Sequence, residues 1–370
     1  MMWIQIQYYT KLKNKNHAVL STKITHIAVI RLSAMGDVAM TVPVISAFAK
    51  RHPDIKLTIV SRKFLKPLFD AIPNCEFLAV DTKGRHKGFR GILQLYQDLK
   101  NIEIDAIADL HNVLRSKVVR YLFSATNIPT AAIDKGRKEK KALVNLKNKD
   151  FKQLKTSMQR YLEVFEDLGF LIDESSIVFL EKLPFSKKTE NFAGILFEKY
   201  SKWIGIAPFA QHDGKVYPSD LMQKVIEQLA QTSSNILYLF GAGPEEIRQL
   251  NIYKGSHDTI KVVAGNLKFA QELELISHLD LMLSMDSGNA HLAANYGVAV
   301  VTLWGATHPY AGFAPLGQPN EYLITSDRAQ FPLLPTSVYG NIEVPGYKYA
   351  MRSILPERVV EIIEEIISEK

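Results

Sequence analysis

The sequence lacks several features that mark whole classes of protein. It contains one cysteine, Cys75, which excludes an intramolecular disulfide framework and a cysteine-rich zinc site and favours a reducing compartment. No stretch reaches about 18 consecutive apolar residues, so we expect no transmembrane helix. Tandem repeats and low-complexity tracts are also missing, which argues against solenoid architectures.

Several catalytic and metal-binding motifs are missing as well. D-x-D, H-E-x-x-H and clustered Cys/His do not occur, so the sequence predicts no metal site and no cofactor. The absence of G-x-S-x-G and of G-x-x-x-x-G-K-[ST] argues against an α/β-hydrolase and a P-loop protein. The first glycine-containing loop lacks the complete G-x-G-x-x-G spacing, so a dinucleotide fingerprint is not supported.

What is present is the composition of an ordinary globular protein with a basic surplus. The 370 residues suggest two domains, and 47% of them are hydrophobic against 22% charged. Lys and Arg number 45 and Asp and Glu 38, a net charge of +7. This surplus favours an anionic partner. Composition alone does not distinguish between nucleic acid, an anionic lipid surface and phosphorylated small molecules.

The segment 1–23 does not fit the pattern of the rest. Apolar and aromatic residues such as Trp3 precede lysines from Lys11 onward, the reverse of the order in a signal peptide. We expect a poorly ordered leader, with a membrane-surface tether as the alternative because aromatic residues lie beside lysines. The protein is expected to be cytoplasmic, with peripheral contact to the inner face of the inner membrane as a further expectation.

Short apolar runs alternate with helical patterns along most of the chain. HIAVIRL at residues 26–32 is apolar on both faces, which predicts a buried parallel strand, and a helix is expected to follow and to end before Pro53. A second alternation begins at Trp203. The pattern predicts an α/β fold of two doubly wound parallel sheets. The expected units are an N-terminal domain (24–180), a boundary within 172–189, a C-terminal domain (190–350) and a terminal helix (354–369).

In such sheets ligands bind beyond the carboxyl ends of the strands. The first loop of interest, RLSAMGDVAMTVP at residues 31–43, carries Gly36 after the strand and Asp37 at the helix start. Asp37 is interpreted either as a helix N-cap or as a general base that takes a proton from a hydroxyl nucleophile.

A second loop, SMDSGNAHLAANYG at residues 284–297, suits an anion. Ser287 and Gly288 lie at the start of a predicted helix. The free N–H groups and the positive dipole end of this helix would face a phosphate. Gly288 has no side chain, so it would allow the phosphate to approach the backbone. Asp286 would then accept bonds from sugar hydroxyls. His291, one turn further, either faces the ligand or fills a packing position.

Two further loops follow strands of the second half. Lys215 lies in APFAQHDGKVYPSD, where a lysine either neutralises a diphosphate leaving group or remains solvated. In FGAGPEEIRQL, Glu245 or Glu246 could accept ribose hydroxyls, although acids in a first helical turn are also ordinary dipole partners.

Taken together, these segments resemble the heptosyltransferase family, glycosyltransferase family nine, from Ile24 onward. RLSAMGDVAMTVPVISAFAKRHP resembles the family's opening strand, loop and helix, and DSGNAHLAANYGVAVVTLWGATHP its donor-binding segment. DLHNVLRS and SMQRYLEVFEDLGF are also similar to family segments. The resemblance implies a GT-B fold, in which two Rossmann-like domains face a cleft. It also implies inverting, metal-independent transfer of heptose from an ADP-sugar to a hydroxyl of the lipopolysaccharide core.

The resemblance also implies roles for individual residues. Asp37 would be the base, Lys215 the diphosphate contact and Asp286 the sugar contact. The remaining donor-side residues are Gly36, Glu245, Ser287, Gly288, His291, Thr307 and His308. Two departures stand out: Ala210 and Gln211 replace threonines that some members carry, and His308 stands where many members have aspartate.

The basic stretch from Lys135 to Lys155, with nine basic residues against two acids, is expected to be a flexible loop. It either contacts the phosphates and carboxylates of a lipopolysaccharide-core acceptor or is simply solvated. The acceptor-side residues predicted are Arg115, Lys117, Lys138 and Lys141. The alternatives are a GT-B enzyme that uses a UDP- or GDP-sugar and a catalytically silent sugar-nucleotide-binding protein. Nucleic-acid binding is disfavoured because the basic cluster is nearly free of aromatic residues.

Overall fold

A computed structural model describes residues 24–194, 202–232 and 234–369. The expectations for residues 1–23 therefore lie outside the described residues. The first half of the chain forms a five-stranded parallel sheet in the order β3-β2-β1-β4-β5. Its strands are β1 (His26–Ile30), β2 (Lys56–Ser61), β3 (Cys75–Ala79), β4 (Ala106–Asp109) and β5 (Thr130–Ala132).

The second half forms a six-stranded parallel sheet in the order β11-β10-β9-β6-β7-β8. Both sheets are parallel throughout, which confirms the predicted doubly wound α/β class. The strands are β6 (Lys202–Ala207), β7 (Asn235–Leu239), β8 (Ile260–Val262), β9 (Leu281–Met285), β10 (Ala299–Trp304) and β11 (Leu323–Thr325).

The central strands are apolar on both faces because helices cover both sides of each sheet. All five residues of β1 and of β9 are buried, as expected of strands inside a parallel sheet. In register, Ile27 lies opposite Leu57 on one side and Ala106 on the other. These strands hold the loops that follow them in fixed positions at one edge of each sheet.

Helices alternate with the strands. In the first half they are α1 (Met35–Ala39), α2 (Val42–Arg51), α3 (Gly88–Asn101), α4 (Leu114–Ser124), α5 (Arg137–Leu143), α6 (Ser157–Asp167) and α7 (Lys187–Ala193). In the second half they are α8 (Ser219–Gln231), α9 (Gly243–Lys254), α10 (Phe269–Ile276), α11 (Gly288–Asn295) and α12 (Pro356–Ser368).

The helix expected after β1 is divided in two. It breaks at Met40 and Thr41, where α1 ends and α2 begins with Pro43 in its first turn. Proline has no N–H to donate and favours the start of a helix, so the segment restarts instead of continuing. The short α1 thereby carries Gly36 and Asp37 at the edge of the sheet, separate from the buried α2 that anchors it.

The basic stretch from Lys135 to Lys155 differs from the expected flexible loop. It contains α5, and Leu143 and Leu154 are buried against Ala311 of the second half. The N–H of Leu154 donates to the carbonyl of Tyr310 at 2.9 Å, and that of Ser157 donates to Gly312 at 2.8 Å. The prediction was wrong because the apolar partners of this segment lie about 160 residues away along the chain and leave no local pattern.

The passage between the two halves lies close to the expected boundary. The N–H of Leu180 donates to the carbonyl of Asn295 at 2.7 Å, and Ser186 and Thr189 contact Glu274, so this segment and α7 lie against the second sheet's helices. The terminal helix α12 packs on α8 and joins the same buried cluster as β9 and β10. The domain limits 24–180 and 190–350 stay a prediction, and the terminal helix expected at 354–369 spans Pro356–Ser368.

The two halves meet directly below the loops that carry the candidate residues. A Cβ added to Gly36 would lie 3.2 Å from the Gly288 Cα and 3.1 Å from the His291 ring, so α1 and α11 touch almost backbone to backbone. The Asn295 side-chain amide donates to the carbonyl of Ala39 at 3.0 Å. The starts of α1 and α11 therefore lie in direct contact where the two halves meet.

Candidate active site

Asp37 lies at the start of α1 and is bonded from two directions. Arg31 directly follows β1, and its guanidinium contacts the Asp37 Oδ2 at 2.6 Å. The N–H of Ala34 donates to the same oxygen at 3.1 Å. Arg31 is itself fixed, because Nη1 donates to the carbonyl of Leu110 after the neighbouring strand β4 at 2.6 Å. The interpretation of Asp37 as the N-cap was wrong: Ala34 is the N-cap, and Asp37 is the third residue of α1, whose carboxylate accepts the Ala34 N–H and remains one-third exposed.

The pKa of Asp37 is lowered although the residue is partly buried. Burial alone would raise this pKa, but the Arg31 charge, the bonds from Ala34 and Arg31, and the neighbouring His291 outweigh it. Asp37 is therefore a carboxylate at neutral pH. It accepts hydrogen bonds and does not donate them, which is the state that a general base requires.

Lys215, Asp286 and Thr307 form a connected group on the opposite wall. The Lys215 ammonium contacts Asp286 Oδ2 at 2.7 Å and donates to the Asp286 carbonyl at 3.2 Å. The Thr307 hydroxyl donates to Oδ2 at 2.9 Å. Two of the three lysine donors are thus oriented by one residue, which leaves the third for another partner.

The start of α11 lies beside this group. Ser287 is the residue before the helix, and its hydroxyl contacts the Ser284 hydroxyl at 3.0 Å and makes no capping bond. The first N–H groups of a helix have no partner within the helix, and the helix dipole makes this end positive. The predicted residues Ser287 and Gly288 therefore present donors where Gly288 meets Gly36.

His291 lies between the two walls. It is buried, its ring lies against Gly36, and its Nδ1 has no hydrogen-bond partner within the described residues. Burial and the Lys215 charge lower its pKa against the opposing charges of Asp286 and Asp37, so the ring is neutral at neutral pH. A buried polar atom without a partner is rare, and the charged groups that act on this ring come from both walls.

His308 belongs to an aromatic group between the halves and is not joined to the Lys215 group. Its ring packs against Phe151 at 5.0 Å and Tyr310 at 4.5 Å between ring centres, and its Nδ1 accepts the N–H of Tyr310 at 3.1 Å. Arg328 lies over the Phe151 ring at 3.5 Å. Burial, with Arg328 and Lys149, lowers the pKa of His308 to about 4.

This lowered pKa predicts a loss of stability in acid. An unfolded histidine takes up its proton near 6.5, well above the folded value, so the free energy of unfolding falls as the pH drops from 6.5 toward 4, by about 3 kcal/mol in full. Urea unfolding at about pH 7 and about pH 5 should show a larger loss for the wild type than for His308→Gln. Equal losses in the two proteins would contradict a buried, neutral His308.

Glu245 lies apart from these contacts. Its carboxylate pairs with Arg248 of the same helix, and both side chains are largely exposed. The neighbouring Glu246 turns back instead and accepts the N–H of Ala242 at 2.7 Å, at the glycine-rich turn before α9. The assignment of Glu245 to a ribose stays a prediction, and Glu246 is the carboxylate that shapes this turn.

Basic residues of the first half surround a cavity of about 220 Å³ at the carboxyl ends of β4 and β5. Of the predicted acceptor-side residues, Lys117 and Lys138 line it, whereas Arg115 donates to the carbonyl of His86 and Lys141 is exposed on α5. The lining residues are Asn112, Lys117, Asp134, Lys135, Arg137 and Lys138.

Sequence reasoning missed two buried cations. Arg31 lies in the first loop, and the signal that could have found it is that a basic residue directly follows a buried strand. Lys140 is 7% exposed and lies 4.1 Å from the centre of the Phe313 ring, across the interface. Burial and the nearby Arg160 lower the pKa of Lys140 to about 8. Its neighbours Lys138 and Lys141 gave no indication of which of the three lysines is buried.

Two cavities flank the central residues. One of about 230 Å³ lies between the halves beside His291 and is lined by Met40 and Ser157 on one side and Asn295 and Leu316 on the other. Another of about 350 Å³ adjoins the Lys215 loop within the second half. Its polar lining residues include His212, Asp213, Asn341, Glu343, Tyr347 and Lys348.

Within 24–194, 202–232 and 234–369, no three His, Cys, Asp or Glu residues are grouped as metal ligands would be. In the same part of the chain, no helix has the length and apolar character needed to cross a bilayer.

Comparison with known proteins identifies the family. The model of glycosyltransferase family 9 (heptosyltransferase) matches residues 92–332. Lipopolysaccharide core heptosyltransferase OpsX of Haemophilus influenzae is 25% identical over 284 residues, which cover 76% of this chain and 80% of that protein.

Solved structures show the same fold. A glycosyl transferase family 9 protein from Veillonella parvula superposes with a TM-score of 0.73 at 18% identity, over 95% of this chain and all of the other. Escherichia coli ADP-heptose lipopolysaccharide heptosyltransferase II gives 0.66 at 18% identity, over 93% and 99%. The architecture is GT-B, as the resemblance implied. Since the family match spans well over half of its length, the chain belongs to glycosyltransferase family 9, the heptosyltransferases, and is a glycosyltransferase.

Proposed function

We propose that this protein transfers heptose from an ADP-heptose donor to a hydroxyl of a lipopolysaccharide-core acceptor, with inversion and without a metal ion. The observation that carries the proposal is His291, a buried imidazole with an unpartnered Nδ1. Its ring interacts electrostatically with Asp37 on one wall and with Asp286 and Lys215 on the other. A reacting sugar at this point would have a carboxylate on one side and a cation on the other.

The donor diphosphate would lie against Lys215 and the start of α11. The third lysine donor, the first N–H groups of α11 and the His291 Nδ1 then share the negative charge that develops as the bond to the sugar breaks. Gly36 and Gly288, which carry no side chain, allow the starts of α1 and α11 to lie in close contact beside this position. Asp286 orients Lys215 through Oδ2, which leaves Oδ1 for a hydroxyl of the sugar, with Thr307 holding the carboxylate in place.

Asp37 would receive the proton of the acceptor hydroxyl. Arg31 and Ala34 both bond Oδ2, so Oδ1 is the oxygen proposed to face the acceptor. A carboxylate with a lowered pKa is a weak base, and proton transfer is then expected to follow C–O bond formation, when the attacking oxygen has become acidic. Attack from the Asp37 wall and departure toward the Lys215 wall lie on opposite faces of the sugar carbon, which is the geometry of inversion.

The acceptor would approach from the basic side of the first half. The cavity lined by Lys117, Lys135 and Lys138 suits carboxylate or phosphate groups, and the buried Lys140 lies between it and the second half. Arg115 and Lys141 remain in the proposal as flanking cations. The choice of donor and acceptor is supported by the similarity to a lipopolysaccharide core heptosyltransferase of Haemophilus influenzae and an ADP-heptose heptosyltransferase of Escherichia coli.

A competition series tests the proposal. ADP-heptose should stabilise the protein against heat more than UDP- or GDP-sugars do, because ligand binding to the folded state raises its stability. Transfer to a lipid-free core oligosaccharide should persist in the presence of EDTA, and the product should have the opposite anomeric configuration to the donor. A stronger shift with UDP- or GDP-sugars would favour the alternative donor class, and retention of configuration would contradict the single displacement.

A further inference from the structure

Large apolar side chains are exposed on two adjacent helices of the first half, away from the cleft residues. Phe89 is 68% exposed and Leu93 lies one turn further along α3, on the same face. Leu114 and Tyr121, each 76% exposed, lie two turns apart on one face of α4. We call these four side chains the α3–α4 patch.

The two helices form one surface. They pack against each other through Tyr96 and Phe123, whose ring centres are 4.7 Å apart. The Arg115 side chain donates to the carbonyl of His86, which ties the start of α4 to the turn before α3. Both helices begin at the carboxyl edge of the first sheet, because each follows a parallel strand. Phe89 and Leu114, near the two helix starts, therefore project at the same edge.

The two chain segments that carry the patch are basic and contain no acidic residue. Residues 82–97 contain four Lys or Arg and no Asp or Glu, and residues 110–133 contain three and none. Of the four acids that flank these stretches, Asp98 contacts His86 and Arg85 and the buried Asp109 contacts Arg120, whereas Asp81 and Asp134 accept backbone N–H groups. The exposed cations of these two stretches include Lys83, Lys87, Arg90 and Lys117.

We propose that the α3–α4 patch is a docking surface for an anionic lipid bilayer, which Phe89 and Leu114 enter while the surrounding cations contact the lipid headgroups. Apolar side chains gain by leaving water for the interfacial region, and Lys and Arg gain from the negative surface potential of anionic lipids. Lys117 lies on the same face of α4 as Leu114 and Tyr121 and also lines the basic cavity. A ligand anchored in the bilayer would thus reach that cavity from the membrane side.

A flotation assay with the full chain tests this surface. Wild-type protein should float with vesicles of phosphatidylethanolamine and phosphatidylglycerol and not with vesicles of phosphatidylcholine. The double variant Phe89→Ser/Leu114→Ser should lower the vesicle partition coefficient by about tenfold or more. The matched control Ile252→Ser/Tyr349→Ser, which removes two similarly exposed apolar residues of the second half, should float like the wild type.

Three results would overturn the proposal. In the first, the wild type does not float with the vesicles; in the second, Phe89→Ser/Leu114→Ser floats as well as the wild type. In the third, the wild type sediments as a dimer and this variant as a monomer, because the patch would then be covered by a second copy. Lys87→Glu/Arg90→Glu adds an independent arm and should abolish the preference for the anionic vesicles. The assay involves no sugar transfer, so its failure would leave the proposed reaction untouched.

Discussion

Replacement of Asp37 by asparagine is expected to slow sugar transfer by about 10²- to 10⁴-fold while donor binding remains near the wild-type level. Asparagine keeps the shape of the side chain, and its oxygen can still accept the bonds from Arg31 and Ala34. It cannot take up the acceptor proton at neutral pH. The change should therefore appear in kcat and leave the donor Kd unaltered, as measured by steady-state kinetics and isothermal titration.

A matched variant separates this effect from a general loss of charge. Asp70→Asn removes a carboxylate from the same half of the protein, where Asp70 pairs with Lys66 and both are exposed. It should transfer sugar at the wild-type rate. Near-normal turnover of Asp37→Asn would rule out the base assignment and leave Asp37 the structural role of accepting the bonds from Ala34 and Arg31.

Replacement of Lys215 by alanine is expected to have two separate consequences. The donor diphosphate loses its lysine contact, so transfer should fall by about 10²- to 10³-fold, with a weaker donor Kd. The buried Asp286 also loses its ionic partner, and breaking a buried pair costs about 3 to 5 kcal/mol of stability. The free energy of unfolding and the donor Kd should both be measured at neutral pH.

The double variant Lys215→Met/Asp286→Asn distinguishes the two consequences. Without a buried unpaired carboxylate, its stability should return toward the wild-type value, whereas donor binding should stay weak because the cation is still missing. Lys215→Arg, which keeps the charge, should retain part of the activity. A Lys215→Ala protein that binds ADP-heptose with wild-type affinity would show that the lysine serves only to neutralise Asp286.

The sheets were predictable because their central strands are continuous apolar runs. β1 and β9 were identified in this way, and the loops that follow them carry Asp37 and Asp286. The short edge strands β5 and β11 were not predicted, since neither lies in a continuous apolar run like those of the central strands. The fold of the basic stretch was missed for another reason: Leu143 and Leu154 find their partner, Ala311, only when the two halves meet.

The residues of the candidate site were predictable from the sequence, whereas the contacts between them were not. The motifs indicated Asp37, Lys215 and Asp286 separately, yet the bond between Lys215 and Asp286 joins residues 71 positions apart. No local pattern encodes that contact. In the same way, nothing in the sequence showed that Arg31 orients Asp37, that His308 belongs to an aromatic group, or that Lys140 is the buried lysine.

The most direct test of the account is a crystal structure with a non-transferable ADP-heptose analogue. The account predicts the diphosphate between the Lys215 ammonium and the start of α11, a hydrogen bond from the His291 ring, and the anomeric carbon facing the Asp37 carboxylate. A diphosphate bound instead in the neighbouring cavity beside Tyr347 and Lys348, with the sugar turned away from Asp37, would contradict it.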